Sequence, residues 1–409
     1  MKILQVNKYH YPRGGADRYY LDLGSRLEAL GHQVAYFAMK HPKNLPNPWS
    51  KYFISRVSYN EQAWRYALKI PGRAIYSLEA KRKFSKLLKE FRPDVIHIHN
   101  IYHQISPSIL DVAAKFKIPV VMHVHDYKLV CPNHALFVNN QVCEKCLKKN
   151  YWPAVKNNCV KNSRIASLLS SLEMYLHHTS WKIYEKNISV YLTPSLFLKN
   201  ILIKSGWPSE KILVVNNAFS AGLPTPLETQ KEDYFLYFGR LSSEKGVDLA
   251  IKASGHDPRL KLKIVGNGPD ELSLKTLDEK SIREGRVEFL GWCEGVELST
   301  LISQAKATII PSRWYENFPL TALESLSLGT PVIASDIGGL PEIVTSKNGI
   351  LVPPDDIKAL HQAMLDILLE KMRWPENQIR ESAQHFLPEV NTNTVLTIYQ
   401  NLINQKNTP

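Results

Sequence analysis

The chain has 409 residues, too many for one ordinary hydrophobic core, so two domains are the starting expectation. Apolar residues make up 44% and charged residues 22%, a globular composition, and no stretch approaches the twenty or so apolar residues of a membrane-spanning helix. A formal charge of +13 favours anionic partners: acidic lipid headgroups, phosphorylated substrates or nucleic acid.

Met1-Lys2 runs straight into Ile3-Leu4-Gln5-Val6, which reads as a strand and not as the apolar core of a secretory leader, so a cytoplasmic protein is expected. Short apolar runs continue over 33–38, 95–98, 119–123, 188–193 and 212–215, with helical patterns between most of them. The helix from Asp17 to Leu30 has a clear stop in Gly31. The second half repeats the scheme with strands over 235–238, 262–265, 287–290, 307–310, 332–334 and 350–352. Strands alternating with helices imply parallel sheets covered on both faces, so the fold class is α/β, with two Rossmann-like doubly wound domains facing across a cleft. Ser220 to Asp233, with Gly222, Pro224 and Pro226, reads as the linker. The domains expected are 1–218, 219–385 and a helical stretch 386–409 able to cross back onto the first.

From Trp64 to Arg92 cations alternate with apolar residues at roughly helical spacing: Arg65, Lys69, Arg73, Lys81, Arg82, Lys83, Lys86 and Lys89. Such a segment suits an anionic membrane surface, or equally a domain helix with a solvated face. Pro71-Gly72 should interrupt it.

In open α/β sheets ligands bind beyond the carboxyl ends of the strands, so the loops that follow strands carry the functional reading. Gly239-Arg240-Leu241-Ser242-Ser243-Glu244-Lys245-Gly246 places two cations after a strand, a plausible diphosphate clamp or else a polar turn facing water. Gly266-Asn267-Gly268-Pro269 is a tight turn after the next strand. Trp292 after the third could line a flat pocket for a base or be buried, and Gly338-Gly339 forms another glycine loop. Glu316 and Glu324 stand eight positions apart. Glu316 falls in a turn with Asn317 and Phe318, Pro319 can open a helix, and Leu320, Leu323 and Leu326 share its inward face, with Glu324 more than a turn inside. Free N–H groups at that helix start suit a phosphate, and flanking carboxylates, which only accept hydrogen bonds, suit the hydroxyls of a sugar and a ribose. A capping acid and a surface acid would give the same spacing.

In the first half, Gly14-Gly15 follows the first strand and enters a helix, without a GxGxxG fingerprint. His97, His99 and Asn100 close one strand, and His123, His125 and Asp126 another. Alternation puts each His pair on one face, as structural or substrate-facing residues more readily than as metal ligands. Cys131, Cys143, Cys146 and Cys159 lie in an insertion of about 127–162, spaced C-x11-C-x2-C-x12-C. One structural zinc or four reduced thiols would fit that spacing, and a reducing cytoplasm disfavours disulfides.

Taken together, Glu316-x7-Glu324, Gly239-Arg240-Leu241 with Lys245-Gly246, the 266–269 turn and Gly329-Thr330-Pro331-Val332-Ile333-Ala334-Ser335 resemble glycosyltransferase family 4, retaining enzymes of the GT-B fold. The resemblance covers nearly the whole chain and is densest from Tyr234 to Pro354. It implies that Glu316 contacts the donor sugar, Glu324 the nucleotide ribose, and Arg240 and Lys245 the diphosphate. His125 would lie close to the transferred sugar, and Gly14-Gly15 at the phosphate and acceptor side, with Asn100 and Asp126. Asn317 and Pro319 stand where many members carry glycine, so a phosphate cradle would rely on the backbone of Phe318, Leu320 and their neighbours.

The expected reaction is retaining transfer of a hexose from a UDP- or GDP-sugar to a glycan or lipid-linked acceptor, in polysaccharide biosynthesis, by a cytoplasmic or peripheral membrane protein. No nucleic acid is expected as a partner. The sequence has no Asp-x-Asp pair, so no catalytic cofactor is expected; Arg240, Lys245 and the helix start would carry the diphosphate charge. A nucleotide-sugar 2-epimerase of the same fold, or a non-catalytic binder of anionic polymer, are the alternatives.

Overall fold

The computed structural model describes residues 1–56, 70–219 and 230–407. It divides into two compact units: Met1–Leu136, Cys143–Asn216 and the chain from Asn391 onward form the first, Phe137–Val142 and Asn217–Val390 the second. Most of the expected linker, and the start of the basic segment, lie outside the described residues.

The first unit is built on a six-stranded sheet of β1 (Lys2–Val6), β2 (Gln33–Phe37), β3 (Val95–Ile98), β4 (Val120–His123), β5 (Val190–Thr193) and β6 (Ile212–Val214), in the order β2-β1-β3-β4-β5-β6. Every pairing is parallel. The second unit repeats this with β7 (Phe235–Phe238), β8 (Leu262–Val265), β9 (Val287–Gly291), β10 (Ala307–Ile310), β11 (Val332–Ser335) and β12 (Gly349–Val352), in the order β9-β8-β7-β10-β11-β12. It too is parallel throughout. The twelve expected strands are all present, shifted by a residue or two at some ends. They were readable because parallel strands are covered by helices on both faces, which demands unbroken apolar runs. Every residue of β3, β4, β7, β10 and β11 is buried.

The order in which successive strands are added reverses between β1 and β3 in the first unit and between β7 and β10 in the second, with every strand still parallel. These are the topological switch points, where neighbouring loops diverge and leave room for a ligand.

In the first unit α1 (Gly15–Ala29) packs Tyr19, Leu23 and Leu27 against Ile3, Val95 and Val121. The last helix, beginning at Pro388, places Val395 and Tyr399 in that same core. Tyr399 Oη meets His97 Nδ1 at 2.5 Å, and Tyr19 Oη donates to Asn391 Oδ1 at 3.1 Å.

Pro71-Gly72 lies within the described helical stretch Ile70–Ile75, and the basic segment before Ile70 lies outside the described residues. The break comes at Tyr76-Ser77, and the Ser77 hydroxyl caps α2 (Leu78–Phe91) by accepting from the Ala80 N–H. Phe84, Leu87, Leu88 and Phe91 of α2 are buried, so its apolar stripe is spent on the domain core.

Between β4 and β5 the insertion forms a short helix (Trp152–Lys156), then α3 (Arg164–Met174), continued by a wider π turn over Tyr175–Ser180. A buried ion pair fixes it: Lys128 Nζ lies 3.2 Å from Glu173 Oε2 and 3.0 Å from Ser170 Oγ, and His103 Nδ1 is 2.9 Å from the same carboxylate. Burial alone would raise the Glu173 pKa, but Lys128 and then His103 outweigh it and hold the carboxyl far below its ordinary value. Replacing Lys128 by Met strands that carboxylate. The expected loss is about 3 kcal/mol of stability at pH 7, read by urea unfolding; an unchanged midpoint would mean that His103 alone suffices.

Candidate functional site

In the second unit the loops leaving β7 and β10 flank the switch point. Lys245 Nζ contacts Glu316 Oε1 at 2.7 Å, and the Ser312 hydroxyl donates to the same oxygen at 2.6 Å. Glu316 is buried, which would raise its pKa; the Lys245 ammonium and these hydrogen bonds overcome that and hold it below the ordinary carboxylate value. Lys245 also lies 5.0 Å from the Trp314 ring centroid. Arg240 is exposed at the carboxyl end of β7, and Tyr237 Oη donates to its carbonyl at 2.7 Å.

Glycines make this closeness possible. A side chain on Gly266, at φ +129°, would meet the Gly239 carbonyl at 1.9 Å, so the loops after β7 and β8 interlock only without one. At Gly338, with φ +65°, a Cβ would strike the Glu316 backbone at 2.4 Å, and the next N–H, of Gly339, donates to the Glu316 carbonyl at 2.6 Å. The glycine loop after β11 therefore clamps Glu316 from behind.

Pro319 is the N-cap of α4 (Leu320–Ser327) and not its first helical residue, with φ −71° and ψ 122°. It brings no capping side chain, so the N–H groups at the start of α4 are not satisfied from that position. Glu324 is the helix's fifth residue and is buried. Phe318 is buried against Phe386, with ring centroids 5.3 Å apart, which leaves only its backbone for a ligand. Asn267 sits in the turn after β8, and its carbonyl accepts from the Leu241 N–H at 3.0 Å. Trp292 is 59% exposed beyond β9, not buried, with its indole N–H 3.2 Å from Glu294.

Sequence reading missed Arg313. Its guanidinium bonds Asp248 at 2.8 Å and also Asp355, while its backbone N–H donates to the Glu244 carbonyl at 2.9 Å. It thereby ties the loop after β10 to the segment that carries Lys245. Only the positive charge was legible; its partners lie 65 and 42 residues away.

In the first unit the histidines form a stack. Ring centroids are 4.4 Å apart for His97 with His99 and for His123 with His125, the latter pair only 9° from parallel. His99 Nε2 lies 2.8 Å from Gln5 Oε1 and therefore donates; its Nδ1 then accepts from His125 Nε2, also at 2.8 Å. Burial first, then neighbouring imidazoles, push His97, His99 and His125 far below the ordinary histidine pKa. Gln5 and Tyr19, whose ring lies 4.5 Å from His123, belong to this site and carried no signal in the sequence. Gly14 is the N-cap of α1 and Gly15 its first residue. Asn100 is buried, and its backbone N–H donates to Asn7 Oδ1 at 3.2 Å. The Asp126 carboxylate is used locally, accepting from the Lys128 N–H at 2.9 Å.

None of the four insertion cysteines is joined in a disulfide. Burial, and then the other three thiols, push Cys146 up to about 12. Yet Cys131 Sγ turns to Asn133 Oδ1 at 2.8 Å, and Cys146 and Cys159 pack with Tyr151, Ala154 and Met174. Among the described residues no group of three or more His, Cys, Asp or Glu side chains is gathered to hold a metal ion.

Two family models match the chain: "Glycosyltransferase Family 4" over residues 13–221 and "Glycosyl transferases group 1" over 224–386. The chain belongs to glycosyltransferase family 4. A glycogen synthase of Mycobacterium tuberculosis is 24% identical over 97% of this chain and 93% of its own. The apo lipopolysaccharide outer core galactosyltransferase WaaB superposes with a TM-score of 0.67 at 20% identity, covering 99% and 100% of the two chains. The Anabaena protein HepE in complex with UDP gives a TM-score of 0.68 at 16% identity, over 98% and 100%. The fold of this glycosyltransferase is thus GT-B.

Two outcomes follow for the family 4 site. Lys245→Met should destabilise the protein by about 2–3 kcal/mol, and adding Glu316→Gln should recover part of that, because the pair falls together; additive losses in urea unfolding would dissolve the pairing. The buried histidines set acid sensitivity. The unfolded chain takes up protons near pH 6.5 where the folded chain does not, so below that pH the unfolded state binds more protons and stability drops as pH falls. Urea midpoints should be flat above about pH 7.5 and decline between roughly 6.5 and 4.5, ahead of carboxylate titration; a flat profile across that window would contradict neutral imidazoles.

Proposed function

We propose that this glycosyltransferase retains anomeric configuration, moving a hexose from a nucleotide diphosphate sugar, a UDP- or GDP-sugar, to a glycan or lipid-linked acceptor in polysaccharide biosynthesis. The observation that carries this is the Lys245–Glu316 contact at the switch point of the second sheet, beside the exposed Arg240 and the uncapped start of α4. A departing nucleoside diphosphate gathers negative charge as the glycosidic bond breaks, and fixed cations with oriented N–H groups favour that charge. Arg240 and Lys245 take the diphosphate in this reading, and the backbone N–H groups near Leu320 assist. Glu316, held ionised, accepts from sugar hydroxyls, and Glu324 accepts from the ribose. HepE binds UDP, and a UDP-sugar is the first donor to test.

His125 positions the sugar as a neutral imidazole. Its Nε2–H is engaged by His99, which fixes the tautomer and leaves Nδ1 as its acceptor atom. Burial pushes its pKa far below the ordinary histidine value, which makes it too weak a base to take the acceptor proton. The departing phosphate oxygen takes it, on the same face of the sugar.

Thermal-shift screening against UDP, GDP, ADP and CDP, followed by hydrolysis of the matching nucleotide sugars, tests the reading. One diphosphate should raise the melting temperature, and Arg240→Ala with Lys245→Ala should remove turnover by three orders of magnitude or so. Glu324→Ala should chiefly raise KM for the donor. Full turnover in the double variant would end the proposed clamp.

A further inference from the structure

Helix α3 is inside out. Its inward face carries Ser167, Ser170, Ser171 and Glu173, all buried, while Ile165, Leu168, Leu169 and Leu172 are exposed, Ile165 by 73%. Tyr175, in the turn that continues α3, extends the stripe at 51% exposure. The spacing of 165, 168, 169, 172 and 175 puts these residues on one helical face.

The inversion has a local cause. Each inward serine satisfies the polar backbone of the insertion: Ser167 Oγ accepts from the Val160 N–H at 3.0 Å, Ser170 donates to the Pro132 carbonyl at 3.2 Å, and Ser171 to that of Tyr151 at 3.0 Å. The apolar residues are left outside. Trp152, on the short helix beside α3, and Trp181, just past its extension, are exposed too. Aromatic side chains with a polar edge are typical of the boundary between lipid and water.

The charge around the stripe says what covers it. From Lys145 to Arg164 the sequence holds six cations and no acid: Lys145, Lys148, Lys149, Lys156, Lys161 and Arg164. The one acid between there and Lys182 is Glu173, which is buried and paired with Lys128. Lys149 pairs with Glu185 at 3.4 Å, and the other five cations are exposed along the segment that leads into α3. An apolar helical face joined to such a basic segment complements an anionic bilayer, with hydrocarbon below and headgroup phosphates around.

We propose that α3, with Trp152 and Trp181, is a docking surface for an anionic lipid bilayer. This places membrane contact on the helix that follows the cysteine-bearing insertion, not on α2, whose apolar stripe is already buried. It deepens the reading of a lipid-linked acceptor and rests on that reading only for its purpose; no sugar chemistry is needed to observe it.

Co-sedimentation of the full chain with vesicles tests it, using pure phosphatidylcholine and a mixture with phosphatidylglycerol. The protein should pellet with the anionic vesicles, release with rising salt, and largely ignore the neutral ones. Leu168→Gln with Leu172→Gln should weaken vesicle binding about tenfold or more, and Lys156→Glu with Arg164→Glu should weaken it on anionic vesicles. Both pairs are exposed, so melting temperature and nucleotide-induced shifts should be unchanged, which separates this result from failure of the donor site. The proposal is overturned if the wild type does not pellet, or if the leucine variant pellets equally. It is overturned too if the wild type ignores vesicles but self-associates in sedimentation velocity through the same leucines, which would make the occupant a second copy.

Discussion

The loops at the switch point of the second sheet depend on one contact, the ammonium of Lys245 against the buried carboxylate of Glu316. A carboxylate that deep is unfavourable unless a cation and hydrogen bonds meet it. Here the cation arrives from the loop after β7 and the carboxylate from the loop after β10. Parallel β-topology makes them neighbours: every strand delivers its carboxyl end to the same edge, and the order β9-β8-β7-β10 sets those two loops side by side. Glycine then permits the final approach. Gly246 is as necessary as Gly338, since a Cβ there would lie 2.0 Å from the Pro311 carbonyl, between the two loops. Arg313 fastens the same joint from the other side through Asp248 and Asp355.

The first unit solves a different problem with the same topology. Its switch point is lined by aromatic nitrogen rings, which can be buried because they can be neutral. Burial holds His97, His99 and His125 far below the ordinary histidine pKa, and the order Gln5 to His99 to His125 transmits a donor–acceptor direction outward from an amide to the last ring. Such a chain serves to orient, because each ring's tautomer is set by the one behind it. The terminal helix contributes Tyr399 to this stack from 302 residues away.

How much of this was legible follows from the range of each interaction. Strands were readable because a strand buried on both faces must be apolar over its length, a demand met locally. Glycine pairs and charges after strands were readable because the ligand-binding edge of a parallel sheet is known before any coordinates. Pro319 misled by one position, since its fixed φ suits both a cap and a first turn, and only ψ separates them. The Arg313 pairings, the Gln5–His99 contact and the closeness of Tyr399 to His97 had no sequence signal, because each joins positions far apart in the chain whose approach only the folded sheet creates.

The inside-out helix is a stricter case. Periodicity alone would assign the apolar face of α3 to the core, and the structure assigns it to the surface. What decides between them is the polar requirement of the loops beneath. A long insertion rich in irregular backbone presents N–H and C=O groups that must be met once covered, and the serines and Glu173 meet them where leucines could not. Burying Glu173 with Lys128 also removes the only acid between Lys145 and Lys182 from the outer surface, so what faces outward there carries no negative side chain. Both consequences arise from one packing choice. The same choice that satisfies the insertion internally yields, on its outside, the combination of greasy ridge and positive rim that an anionic lipid surface attracts.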